Sequence, residues 1–313
     1  MAAGSKRAQG RPVMTQRAQI RMLPDQRRLH LQDGPIDLIV EAFGDLREVQ
    51  HAYQAAAGRF VGVLDELCAE LPLLRAQAMP GGPSLNGKIA RRMAVAVAPY
   101  AARTFITPMA AVAGAVAEEI LEVMTSAARL AKAYVNDGGD IALHLGPGER
   151  FVIGMVERPD RRSLFGTATV SSHDGVRGIA TSGWRGRSFS LGIADAVTVL
   201  AESAAQADAA ATIIADAVDL PGNPKVARVP ACSLAPDSDL GDLLVTQDVG
   251  TLSAEEVDCA LQAGMAVAEG LAKEGLVHSA ALHLSGETRI VGAALSLATL
   301  RLPEAAHRSL VHA

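Results

Sequence analysis

The chain has 313 residues, is 49% hydrophobic but only 3% aromatic, and carries a formal net charge of −5. That length allows one large domain or two ordinary ones, with a core built from Ala, Val, Leu and Ile. The charge is uneven: Lys6, Arg7, Arg11, Arg17, Arg21, Arg27 and Arg28 face a single early acid, Asp25, so the body is acidic, which argues against nucleic acid as the main partner.

In chain order, residues 1–27 form a basic leader without an apolar stripe. A disordered tail is the expectation, with a nucleic-acid arm or a transit peptide as the other readings. The remaining 28–313 is expected to be a single domain, open to division into two sub-lobes. No secretory signal is visible. The longest uncharged apolar stretch, between Arg103 and Glu118, is too short to span a bilayer and contains Pro108. Cys68, Cys232 and Cys259 are odd in number and widely spaced, which fits reduced, buried thiols in a cytoplasm.

Residues 28–42 read as two short strands around an Asp33-Gly34-Pro35 turn. Val49, Tyr53, Ala56, Phe60, Leu64, Leu67 and Leu71 recur at helical spacing and predict one helix closed by Pro72. Gly82, Gly87 and Lys88 imitate a phosphate loop. Ile89 stands where a Ser or Thr should hold magnesium, and no strand precedes them, so the match is rejected. Helices are predicted over 88–102 and 109–132, where small residues suit a subunit interface in a homo-oligomer. Strands follow at 133–145 (around a glycine turn), 151–156, 164–170, 176–181 and 196–201. A helix covers about 204–218, and 221–241 is a long connection. A strand at 243–247, a helix at 254–274 and a hairpin of 279–284 with 288–293 complete the pattern. Strands and helices mix without strict alternation, so the fold class is α+β, a mixed sheet flanked by helices.

Three short stretches carry candidate chemistry. Ser203 and Gln206 form an S-x-x-Q capping box that starts a helix at about Ala204. Asp208 and Thr212 then lie one turn apart on one face. Both are indifferent helix formers in a run of alanine. Together they can offer a carboxylate and a hydroxyl to a hard cation such as Mg2+. The spacing leaves a second reading open, a solvated Asp with Thr bonding back to a carbonyl. Thr181-Ser182-Gly183 follows a strand, with Trp184 as a stacking candidate and Arg185 and Arg187 as positive charge for a phosphate. Gly138-Gly139-Asp140 allows unusual backbone conformations and places an acid that can cap a turn or hold a ligand hydroxyl.

The order and spacing of "NDGGDI", "IATSG" and "ADAVTVLAESAAQADAAATIIA" resemble the flavin-transferase (ApbE) superfamily. The motifs cover roughly 105–215, and the whole of 28–300 looks closer to an uncharacterised, cytoplasmic branch of it. The resemblance implies an ApbE-like fold, a magnesium ion on Asp208 and Thr212, and FAD or a related flavin or pterin against Gly138, Gly139, Asp140, Thr181, Ser182, Gly183 and Trp184. The partner so implied is a small nucleotide-like molecule, with no membrane and no nucleic acid. Two departures stand out. Ala113, beside Gly114, falls where the family carries Lys, with Glu118 near its Asp. Residues 189–196, "FSLGIADA", are shorter than the family's His-Ile-x-Asp-Pro segment and lack its His and Pro. Ligand binding is therefore the first expectation. Active Mg-dependent transfer or FAD pyrophosphate hydrolysis is the second, and an assembly protein with a degenerate site the third. His144, His173, His278 and His283 read as structural; Asp195 and His173 are weak general-base candidates.

Overall fold

The computed structural model describes residues 17–158, 161–292, 295–296 and 311–312. Its frame is a nine-stranded sheet in the order β1 (Gln19–Met22), β2 (Leu29–Asp33), β3 (Ile36–Phe43), β4 (Lys132–Asp137), β5 (Asp140–Leu145), β8 (Gly178–Ser182), β9 (Ala196–Ala201), β12 (Ser279–Leu284), β13 (Glu287–Val291). Every neighbouring pair in it is antiparallel. The parallel pairing that makes the architecture mixed lies in a four-stranded sheet. There β15 (Val311–His312) runs parallel to β6 (Arg150–Arg158), which pairs antiparallel with β7 (Arg161–Ser171), itself bordered by β14 (Leu295–Ser296).

The large sheet is covered on both faces. Helices α1 (Leu46–Phe60), α2 (Val63–Ala69), α3 (Leu71–Leu74), α4 (Lys88–Val97), α5 (Val112–Ala127), α6 (Ala204–Ala217) and α8 (Ala254–Lys273) share the main core with Leu38, Val40, Val135, Ala142, Ala180, Val197 and Leu282. The other face packs Tyr134, Ile141, Leu143, Ile179 and Leu200 against Phe151, Ile153, Met155 and Val170 of the smaller sheet. Successive residues of a strand point to opposite faces, so each central strand feeds both cores.

Several elements differ from expectation. The single helix over 49–71 breaks after Phe60. Gly62 heads a new helix, and the bend keeps Phe60, Val63 and Leu67 all buried. Pro72 sits in the first turn of α3, where its missing N–H costs nothing, so it starts a helix instead of ending one. The predicted 109–132 helix begins as a 3-10 turn (Pro108–Ala111) and stops at Ala127. The long connection 221–241 holds β10 (Val226–Pro230), paired with β11 (Leu244–Val249), and the short α7 (Ala231–Leu234). The leader reaches the domain earlier than residue 28, because β1 adds an edge strand and Arg17 pairs with Asp33 and Asp65; residues 1–16 lie outside the described residues. Cys68 and Cys259 are exposed, against the expectation of buried thiols. No helix among the described residues is long and apolar enough to cross a membrane.

The rejected phosphate loop is explained by its contents. The amides of Asn86 and Gly87 donate to the Glu70 carboxylate at 2.7 and 2.6 Å, and Lys88 pairs with Glu119 and Glu122. An internal carboxylate occupies the place of a phosphate.

Candidate functional site

Helix α6 is sandwiched between α5 and the strands β8 and β9, with α8 alongside. Ala204, Ala205, Ala207, Ala209, Ala210, Ala211, Ile214 and Ala215 are all buried. Its alanines are a packing requirement. A Cβ on Gly114 would stand 2.3 Å from the Ala204 carbonyl oxygen, and one on Gly178 2.1 Å from the Ser203 carbonyl. Neighbouring backbones touch α6 directly. Ser203 caps it by accepting from the Gln206 amide; among the described helices the return bond of a full capping box is made only at Ser253 and Glu256, which start α8. Small residues of α5 are likewise spent inside the chain, against α1, α4, α6 and the sheet.

Asp208 and Thr212, both half-buried, interrupt that surface with polar side chains, as do Gln206 and Asp216. Asp208 Oδ2 accepts from the Gly114 amide at 3.0 Å, in the first turn of α5. Glu118, one turn further along α5, accepts the Ala205 amide with Oε1 at 2.8 Å and pairs with Arg92 at 2.8 Å. Each helix thus supplies an acid to the open amides at the start of the other.

The turn between β4 and β5 meets the same place. Gly138 and Gly139 have φ of +67° and +119°, and the Gly139 amide donates to Asn136 Oδ1 at 2.8 Å. Asp140 Oδ1 accepts from the Thr181 amide at 3.2 Å, joining the Gly-Gly-Asp and Thr-Ser-Gly turns. Strand alternation puts Asp137, Asp140 and Ser182 on the helix-covered face, with Val135, Ala142 and Ala180.

The electrostatics are those of buried acids that repel one another. Burial, reinforced by Asp140, pushes Asp137 up to about 8, against a partial pull from Arg187. Burial and Asp208 hold Asp140 well above the carboxylate range. Burial raises Asp208 to about 7; Asp137 adds to this and the amides of Gly114 and Ala113 oppose it. Asp137 was missed by sequence reasoning, although "YVNDGGD" places it beside the glycine turn.

Other candidates divide. The Thr181 hydroxyl points to the opposite face, where it bonds Thr198 Oγ1 at 2.9 Å, so only its amide serves the acidic cluster. Trp184 has the Arg185 guanidinium 4.1 Å from its ring centre, and its buried indole N–H has no partner among the described residues. Asp195 is committed to Arg185 at 2.6 Å and the Ser285 amide at 2.7 Å, and His173 is exposed beside Asp174, so neither is placed as a base. The segment 190–192 is pinned by Asp216, which accepts from the Leu191 amide at 2.8 Å and Ser190 Oγ at 3.0 Å; the Thr246 hydroxyl donates to the Gly192 carbonyl at 2.7 Å.

No group of three or more His, Cys, Asp or Glu among the described residues forms a metal cage of its own. A divalent ion here would complete its shell with hydroxyl, water and ligand oxygens, as magnesium commonly does.

The chain belongs to the family described as AbpE bacteria, which it matches over residues 20–290. It is 35% identical over 158 residues to a UPF0280 protein of Methanopyrus kandleri, covering 50% of this chain and 59% of that one. To a UPF0280 protein of Methanosphaerula palustris it is 34% identical over 165 residues, 50% of this chain and 63% of the other. The matched segment therefore spans about 60% of these relatives' length. The apo flavinyl transferase ApbE of Pseudomonas stutzeri is a looser likeness, with a TM-score of 0.41 at 12% identity over 88% of this chain and 94% of that one.

Proposed function

We propose that this protein binds a flavin nucleotide, or a related phosphorylated heteroaromatic cofactor, together with Mg2+. The observation that carries the reading is the meeting of Asp208 with Asp140 and Asp137 beside the Thr181–Gly183 turn, all three carboxyls held above their ordinary proton affinity by burial. Buried carboxylates in that state either keep a proton or take a cation. The donors fit a hard ion: carboxylates at 140 and 208, and the Thr212 hydroxyl one turn along α6. Membership of the AbpE bacteria family, together with the resemblance of its motifs to the flavin-transferase superfamily, suggests a flavin as the organic part. A bound magnesium would neutralise phosphate charge.

Binding, without an assigned turnover, is the reading we favour. Ala113 occupies the position where the resembling superfamily carries Lys, and residues 189–196 bring no histidine. Incubation with FAD and MgCl2, followed by chromatography for AMP and FMN, separates the readings. Ligand retained without AMP release supports binding alone. AMP release establishes transferase or pyrophosphatase chemistry.

A second reading has its own observation. The Asp208–Gly114 hydrogen bond gives Asp208 a structural task, as an assembly protein with a degenerate site would need. That reading gains if magnesium and FAD both leave the melting temperature unmoved.

A further inference from the structure

We infer that Arg187, and not its neighbour Arg185, grips the phosphate end of the ligand; this rests on the binding reading above and deepens it. The two arginines lie in one turn, two residues apart, and only the structure separates their roles. Arg185 is committed: its Nε donates to Asp195 Oδ1 at 2.6 Å and its guanidinium covers the Trp184 ring. The second oxygen of Asp195 takes the Ser285 amide at 2.7 Å, which ties the turn to the β12–β13 hairpin. Arg185 is therefore an internal strut.

Arg187 is exposed and has no hydrogen-bonded or ion-paired partner among the described residues. Its position is nevertheless defined. Its Nη1 lies over Gly138, where a Cβ would approach to 2.9 Å. Gly138 opens the turn that delivers Asp140, and Asp140 in turn holds the Thr181 amide. A free guanidinium is thus parked at the rim of the acidic cluster, with its fork of N–H donors unspent. That fork matches two oxygens of a phosphate, a geometry a lysine cannot reproduce. A diphosphate lying between a divalent ion on the acids and Arg187 would be held from both sides. The chemical class so defined is a diphosphate ester, whatever ring it carries.

The experiment is isothermal titration of the full chain, in MgCl2, with inorganic pyrophosphate and separately with FAD. Wild type is compared with Arg187→Ala, Arg187→Lys and Arg185→Lys. Loss of charge-assisted hydrogen bonds should weaken pyrophosphate about tenfold or more in Arg187→Ala. Its melting temperature should change little, because no hydrogen bond is lost and only the pull of its charge on Asp137 and Asp140 goes. Arg187→Lys should recover only part of the affinity, and Arg185→Lys should lower the melting temperature instead. Equal pyrophosphate affinity in wild type and Arg187→Ala, or no pyrophosphate binding by wild type, overturns the inference. Arg187-dependent pyrophosphate binding with no FAD binding keeps the inference and sinks the flavin reading. FAD bound equally well by wild type and Arg187→Ala does the reverse.

Discussion

Asp208 on α6 reaches the Gly114 amide at the start of α5, while Glu118 on α5 reaches the Ala205 amide at the start of α6. The two helices that frame the candidate site are locked to each other by two acids, one of which, Asp208, belongs to it. Asp208 consequently has two tasks that pull in opposite directions. As a cap it stabilises α5; as a buried charge without a cation it costs stability.

Asp208→Asn separates them. It keeps an oxygen for Gly114 and removes the charge. At pH 8 in EDTA the variant should melt no lower than wild type, yet lack the rise in melting temperature that is expected of wild type with MgCl2. Asp208→Ala also removes the acceptor and should cost about 0.5–2 kcal/mol in urea unfolding. A magnesium response that survives in Asp208→Asn contradicts the assignment.

The acids set the pH dependence of the metal-free protein. Asp137 near 8, Asp208 near 7 and Asp216 near 6 all lie above the usual unfolded value close to 4. Between those limits the folded chain binds more protons than the unfolded one, so stability falls as pH rises from about 4 to about 8. In EDTA the melting temperature should be higher at pH 5.5 than at pH 8, and MgCl2 should narrow the gap. Equal melting temperatures across that range in EDTA would mean that folding does not raise these carboxyls.

Gly114→Ala tests how tightly α5 and α6 meet. Its Cβ would fall 2.3 Å from the Ala204 carbonyl oxygen, against backbone that cannot turn aside. Overpacking should cost roughly 1–3 kcal/mol or more and disturb both caps at once. Urea denaturation reads the loss. A variant as stable as wild type would show that the helices pack less closely than described.

Trp184 is the only tryptophan in the chain, which makes it a built-in reporter. Arg185 lies against its ring, so stacking with a ligand on that side would require Arg185 to leave. A flavin bound at the 181–183 turn should quench Trp184 emission in proportion to occupancy. Unchanged emission at saturating FAD would place the ring system elsewhere.

Much of the fold was legible where one period dominates. The strand 196–201, the helix after Ser203 and the 279–284 hairpin arm follow from local pattern, and the structure places them within a residue. Pattern failed where tertiary partners decide. Edge strand β1 reads as basic tail because nothing in QIRM announces that it borders β2. Pro230 and the Asp and Ser residues around it disguise β10 and α7 as loop. At the site, the residue types could be read from the sequence, but not their orientation. Thr181 offers its amide and not its hydroxyl, Arg185 is consumed by Asp195, and the Glu118–Ala205 contact crosses 87 residues of sequence. Such pairings are set by how α5, α6 and β8 stack, which no local window contains.

Calorimetric titration of the wild-type chain with FAD, first in MgCl2 and then in EDTA, decides whether a magnesium-assisted flavin site exists. Saturable binding is expected in magnesium, lost in EDTA and lost again in a double variant, Asp208→Ala with Thr212→Val. Binding of equal strength in EDTA, or none in either buffer, would contradict such a site.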